Sequence, residues 1–343
     1  MKKIVLLSLC LFLIMGAYAF AGGGGEKGTA AAEQKMTIKF GHNGNTDPSD
    51  PQNIAAYAFQ KMIGERSNGR VEVQVYPAAQ LGDARTLTES VQMGSLEIAD
   101  IENGPLGGFV PQTMVWDLPY LFRDLDHANK VAAGPVGDQL RKLFLEKNIR
   151  ILDYNHGGFR YLTNSKRPVK TPDDLKGLKI RVMESKVMIE SINAFGASAV
   201  PMAFGEVYTA LQQGTVDGQE NPFNLIVNQK FFEVQKHLSL SEHFYYPRHY
   251  LYSELLWKKY SPETQKLLET GAKDACEVQR KAFISSIDTF VDFLKKNGMQ
   301  ITEVDRAAFM KVSQPVYPMF YATLGAGNEA AGKALVEAVI NTK

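Results

Sequence analysis

The sequence predicts an α/β protein of two lobes, and three observations predict it. Strand-like and helix-like stretches alternate from about Met36 onward, the order that builds largely parallel sheets with helices on their faces. That alternation runs twice, once from Met36 and again from about Ile149, which suggests two lobes. A helical pattern then holds from Pro262 to about Lys296, and roughly 35 residues at about 1.5 Å each make a rod near 50 Å, longer than one small domain is wide.

The elements follow in chain order. Met1-Lys2-Lys3, an apolar run from Ile4 to Met15 and small-residue sites between Ala17 and Ala21 have the arrangement of a secretory signal peptide, so residues 1–21 are set apart from the fold. The run is shorter than the roughly 20 residues of a bilayer span. Residues 22–35, "GGGGEKGTAAAEQK", read as a flexible leader. "MTIKFGH" and "RVEVQVYP" read as strands around a helix from Pro51 to Arg66, with Asn68-Gly69 as the turn. Another helix follows Asp83, and "LEIADIE" is the next strand.

The second series contains "IRILDY", "RYLTN" and "LKIRVM", a helix near Ser185 to Phe195, "ASAVPM", a helix from Gly205 to Gln213, and "TVDGQE". In "TPDDLKG", Thr171 can cap, Pro172 suits the first helical position, and Asp173 and Asp174 suit its positive end. In the long helix, Leu268, Ala272, Ala275, Gln279, Phe283, Ile287, Phe290 and Leu294 recur at spacings of three and four. A single-sided stripe of that kind fits a brace between lobes better than a projecting arm.

Composition narrows the function. The 343 residues are 45% hydrophobic and 22% charged, ordinary for a globular protein. Removing Lys2 and Lys3 with the signal peptide turns a formal charge of +1 into about −1, a balance that argues against a nucleic-acid partner. Cys10 lies in the signal peptide, so Cys276 is the only later cysteine and excludes a disulfide framework or a thiolate zinc site. No cofactor motif is present: the sequence has no G-x-S-x-G, H-E-x-x-H or G-x-x-x-x-G-K-[ST], and "GPLGG" at Gly104 to Gly108 reads as a glycine turn. The six histidines show no metal-ligand spacing.

Polar side chains do cluster where strands end: Asn43, Glu102, Arg160, Arg181 and Asn221. Ligands of open α/β sheets bind beyond such strand ends, and an arginine fork suits a carboxylate while amides and an acid suit hydroxyls. Arg181 alternates with Leu178, Ile180 and Val182, and a guanidinium on such a strand needs a partner. Two readings stand on the pattern alone: an internal pair with Glu184, Glu206 or Asp217, or a ligand.

The runs "GFRYLTNSKRPVKTPDDLKGLKIRVM" and "GASAVPMAFGEVYTALQQGTVDGQENP", with "YPAAQLGDAR", "DLPYLF" and "FFEVQKHL", resemble the solute receptors of TRAP transporters, the tripartite ATP-independent periplasmic importers, over essentially the whole mature chain. The resemblance implies a periplasmic-binding-protein-like fold with strands crossing between the lobes and a long helix spanning both. Lobe 1 would hold residues 36–157 with about 247–286 returning to it, lobe 2 residues 158–246 with about 287–330 returning, and the helix 262–296 would span them. It implies closure around a small organic acid, with Arg181 on the carboxylate, Asn221 beside it, and Arg160, Glu102, Asn43, Phe204 and Asp83 lining the same cleft. It further implies a periplasmic monomer that works with TRAP membrane subunits and is not an enzyme.

Sialic-acid receptors of the family carry an aspartate immediately after "LGD" and an arginine three residues beyond the glutamate, where this chain has Ala84 and Pro105; that argues against sialic acid. Glu102 favours a uronate or aldonate over a C4-dicarboxylate, because an acidic wall repels a second negative group. Two rivals are a secreted sugar-acid lyase or isomerase with Glu102 as general base, and a sensor module without transport.

Overall fold

The computed structural model describes residues 35–343; the signal peptide and all but the last residue of the leader lie outside the described residues. The strands are β1 (Met36–His42), β2 (Val71–Tyr76), β3 (Ile98–Glu102), β4 (Ile149–Asn164), β5 (Lys179–Val182), β6 (Ser198–Pro201), β7 (Gly218–Asn221), β8 (His237–Ser253) and β9 (Gln300–Thr302). They form one sheet in the order β2-β1-β3-β8-β4-β7-β5-β6, with β9 paired to β8. The helices that matter below are α1 (Pro51–Arg66), α2 (Ala84–Met93), α3 (Lys186–Ala194), α4 (Phe223–Asn228), α5 (Pro262–Lys296), α6 (Arg306–Ser313), α7 (Val316–Leu324) and α8 (Glu329–Ile340). Among the described residues no helix is long and apolar enough to cross a membrane.

Two long strands carry the sheet from one end to the other. β3 pairs antiparallel with the C-terminal part of β8, Ile98 opposite Tyr252 and Glu102 opposite Arg248. β8 then runs antiparallel to β4 from Ser253 opposite Ile149 to His237 opposite Asn164. The far part of β4 takes β7, with Tyr161 opposite Asn221, and β7 and β6 flank β5 in parallel. "IRILDY" and "RYLTN", read as separate strands in the sequence, are thus one 16-residue strand. The glycines between them produce a kink rather than a break: the β4–β8 register shifts between His156 and Phe159, and Gly158 takes the left-handed conformation at φ +84°, as an irregularity absorbing extra residues requires.

The inner strands are covered on both faces, which explains why alternation understates their burial. All of β3 is buried, and in β5 only Lys179 is exposed while Arg181 is buried with its apolar neighbours. The expected short turn at Thr171 forms, with the Asp174 carboxylate accepting from the Thr171 N–H at 2.8 Å.

The long helix α5 has the expected limits. Ser261 caps it by accepting from the Thr264 N–H at 3.2 Å, Pro262 opens it, and Lys295 and Lys296 close it near its negative end. Its first half joins a core with Phe40, Phe59, Tyr250 and Tyr252 through Leu268, Ala272 and Ala275. Its last turns join another with Phe223, Ile226 and Phe231 through Leu294. After it, Phe309 of α6 packs with Ile180 and Phe195, whereas Val316, Phe320 and Val339 of α7 and α8 pack with Trp116, Phe122 and Leu140.

Candidate functional site

β5 delivers Arg181 to a cavity of about 470 Å³ that is also lined by Asn43, Asp83, Glu102, Met183, Met202 and Phe204. The guanidinium is buried, with 1% of the residue exposed. Nε and Nη2 both donate to the Met202 carbonyl, at 3.0 and 2.6 Å, which fixes one edge of the fork. Nη1 is buried with no hydrogen-bond partner. The Phe204 ring lies 5.9 Å from the guanidinium carbon.

The internal partners do not take it. Asp217 accepts from the Lys179 N–H at 2.9 Å and lies 3.4 Å from Lys166 Nζ. Glu184 and Glu206 line the same cavity but make no ion pair with Arg181. Burial pulls the Arg181 guanidinium down to about 10, against the attraction of Glu220, the direction expected of a charge kept from water without a counter-ion.

Five of the seven expected residues therefore line one cavity: Arg181, Glu102, Asn43, Phe204 and Asp83. Asp83 also caps α2, its carboxylate accepting from the Thr86 N–H at 2.8 Å; that bond holds its carboxyl below the ordinary carboxylate range. Ala84 and Pro105, which depart from the sialic-acid pattern, line the cavity as well.

Arg160 and Asn221 are not among the lining residues. The β4–β7 pairing sets Arg160 against Glu220, whose carboxylate accepts from Nε and, at 2.9 Å, from Nη2; Nη2 also donates to Asn221 Oδ1 at 3.0 Å. Asn221 Nδ2 donates in turn to Gln219. Both residues are held by their own sheet.

Arg248 was missed. It lies opposite Glu102 on β8 and donates to Glu102 Oε2 at 3.1 Å, to Asp100 Oδ1 at 3.0 Å and to Asn43 Oδ1 at 3.3 Å. The signal that singled out Arg181, an arginine inside an apolar strand, was present in "YYPRHYLY". Among the described residues no group of three or more His, Cys, Asp or Glu is placed to hold a metal ion.

The comparisons with known proteins decide the family. The model for bacterial extracellular solute-binding protein, family 7, matches residues 40–324. The chain belongs to that family. The family 7 protein is 39% identical over 275 residues to the 2,3-diketo-L-gulonate-binding periplasmic protein of Escherichia coli, covering 80% of this chain and 83% of the relative. It superposes with a TM-score of 0.85 on a TRAP periplasmic solute-binding protein of Polaromonas bound to D-erythronate, at 39% identity and covering 90% and 99% of the two chains. A similar receptor of Sulfurospirillum deleyianum, with bound succinate, matches with a TM-score of 0.84 at 34% identity over 90% and 99%. The family 7 protein is thus a TRAP-type solute-binding receptor with the two-lobed α/β fold of these structures, and its relatives are periplasmic transport proteins rather than enzymes.

Proposed function

We propose that this receptor captures a small monocarboxylic sugar acid, a uronate or aldonate, and delivers it to TRAP membrane subunits. The observation that carries the proposal is the unpartnered Nη1 of a buried arginine in the cavity. Met202 occupies one edge of the fork, so the other edge, Nη1 with the remaining N–H of Nη2, is open for a carboxylate to accept two parallel charge-assisted bonds. On closure Asn221, which Arg160 holds at 3.0 Å, joins that anchor.

Acidic walls favour one carboxylate over two. Asp83, Glu102, Glu184 and Glu206 all line the cavity, whereas Arg85, its other lining arginine, is paired with Glu89 at 3.0 Å. A second ligand carboxylate would meet like charge, while hydroxyls find acceptors. The succinate-bound relative keeps the C4-dicarboxylate as the alternative. An enzymatic role for Glu102 as a general base fits less well, because its ion pair with Arg248 at 3.1 Å favours the carboxylate over the protonated acid that a base must become.

Capture needs no covalent step. The two lobes close over the acid, and the ligand favours the closed form by its higher affinity for it. The receptor acts as a monomer in the periplasm after export by its N-terminal signal. Calorimetry of the mature chain against uronates, aldonates and C4-dicarboxylates is expected to show tightest binding of a hydroxylated monocarboxylic acid, recovered chemically intact. Conversion of the acid would establish the enzyme, and preference for succinate the alternative ligand.

A further inference from the structure

Arg248 does not line the cavity, yet every N–H of its guanidinium is used. Nε donates to Asp100 Oδ1 at 3.0 Å; Nη1 donates to Glu102 Oε2 at 3.1 Å and to the Tyr246 hydroxyl at 2.9 Å; Nη2 donates to Asn43 Oδ1 at 3.3 Å and to the Asp100 carbonyl at 2.7 Å. The residue is 2% exposed, and Asp100 beneath it is fully buried.

This pattern fixes the chemistry of two cavity residues. Arginine only donates, so the Asn43 amide must turn its oxygen toward Arg248 and its NH₂ toward Glu102. One N–H of that amide is then spent on Glu102 Oε1 at 2.8 Å, and the other is free. Glu102 accepts one bond on each oxygen, from Asn43 and from Arg248, and each oxygen keeps acceptor capacity. A rigid donor with adjacent acceptors is the complement of two neighbouring hydroxyls, each of which donates and accepts.

We propose that Arg248 is a positioning residue for specificity: it locks Asn43 and Glu102 into a fixed donor–acceptor pair that reads two adjacent hydroxyls of a ligand whose carboxylate lies on Arg181. The inference rests on the sugar-acid reading above and adds which ligand feature is read and what holds the reader. Its ligand class is the monocarboxylic acid with a vicinal diol. Lysine at this position keeps the positive charge but cannot bond Asp100, Glu102, Tyr246 and Asn43 from one planar group.

The test compares D-erythronate with 2-hydroxybutyrate, the same carbon chain without its two outer hydroxyls, by calorimetry on the mature wild-type chain, Arg248→Lys and Glu102→Gln. Wild type is expected to favour D-erythronate by at least about 100-fold, as two lost pairs of hydrogen bonds imply. Arg248→Lys is expected to lower that ratio by at least about tenfold through D-erythronate alone, leaving 2-hydroxybutyrate within about threefold of wild type. Glu102→Gln, which preserves shape, is expected to lower the ratio too and carries the test if Arg248→Lys does not fold. Equal weakening of both acids, or an unchanged ratio in the folded variants, overturns the proposal. Wild type binding the two acids equally well overturns the diol reader while leaving the Arg181 anchor standing; wild type binding no organic acid overturns the reading on which it rests.

Discussion

A charged group without a counter-ion is what sets Arg181 apart among the buried arginines of this receptor. Arg160 has Glu220 and Arg248 has Asp100 and Glu102; Arg181 has only a carbonyl on one edge. A site kept ready for an acid in this way costs stability while empty. Arg181→Met should therefore abolish acid binding and, in the absence of ligand, raise the unfolding free energy by about 1 kcal/mol or more. Half-buried Met202 can pass its freed carbonyl to water. Thermal unfolding of the unliganded variant checks this, and a drop in melting temperature would show that the guanidinium supports the fold instead. Pattern alone could flag Arg181, Glu102 and Asn43 because polar residues at strand ends are rare without a reason. It could not tell which flagged arginine would be clasped from within, since that follows from the β4–β7 register that brings Glu220 against Arg160. Arg248 escaped although it carried the same cue, because its partner Glu102 is far away in sequence.

Elements with strong local signals were the most legible. α1 and α5 begin at a capped proline and end where the sequence stops them, α1 at Arg66 just before the Asn68-Gly69 turn and α5 at Lys296. The kink in β4 was not legible, because two glycines in a row read as a strand end as readily as a bulge. Its backbone makes a specific demand. Gly158 has φ +84°, and a Cβ there would lie 2.3 Å from the Phe283 ring of α5. Gly158→Ala should therefore destabilise by about 2 kcal/mol or more, from left-handed strain together with the displaced ring. An unchanged urea midpoint would mean that β4 relaxes freely at this point. The register shift and the glycine lie together on the strand that links the two ends of the sheet, against the Phe283 ring of α5.

Acid should loosen the whole molecule. Burial holds His42 and His156 down at about 4 and His249 at about 3, and it lowers His243 as well. These imidazoles stay neutral in the fold, whereas the unfolded chain protonates them near 6.5, so below that pH the unfolded state binds more protons and stability falls. Burial raises Asp100 and Asp117 to about 6; these acids work in the opposite sense, gaining protons in the fold first, but they titrate only after the unfolded-state histidines have begun to charge. The melting temperature should decline as pH falls from about 7.5 to about 6; a flat or rising profile would mean that the histidines titrate normally in the fold. At this scale the α/β class, the two series and the long bracing helix were legible, because each is a periodicity that survives without contacts. The docking of α7 and α8 against Trp116 and Phe122 was not, since short helices after a long one carry no signal of which core they join.

The central claim is that the open edge of the Arg181 fork is the seat of a ligand carboxylate. A crystal structure of the mature receptor with its tightest-binding acid tests it most directly. The account predicts both carboxylate oxygens within about 3 Å of Arg181 Nη1 and Nη2, with the ligand hydroxyls turned toward Asn43 and Glu102. A carboxylate seated on Arg85 or elsewhere, with Arg181 still bonded only to the Met202 carbonyl, would contradict it.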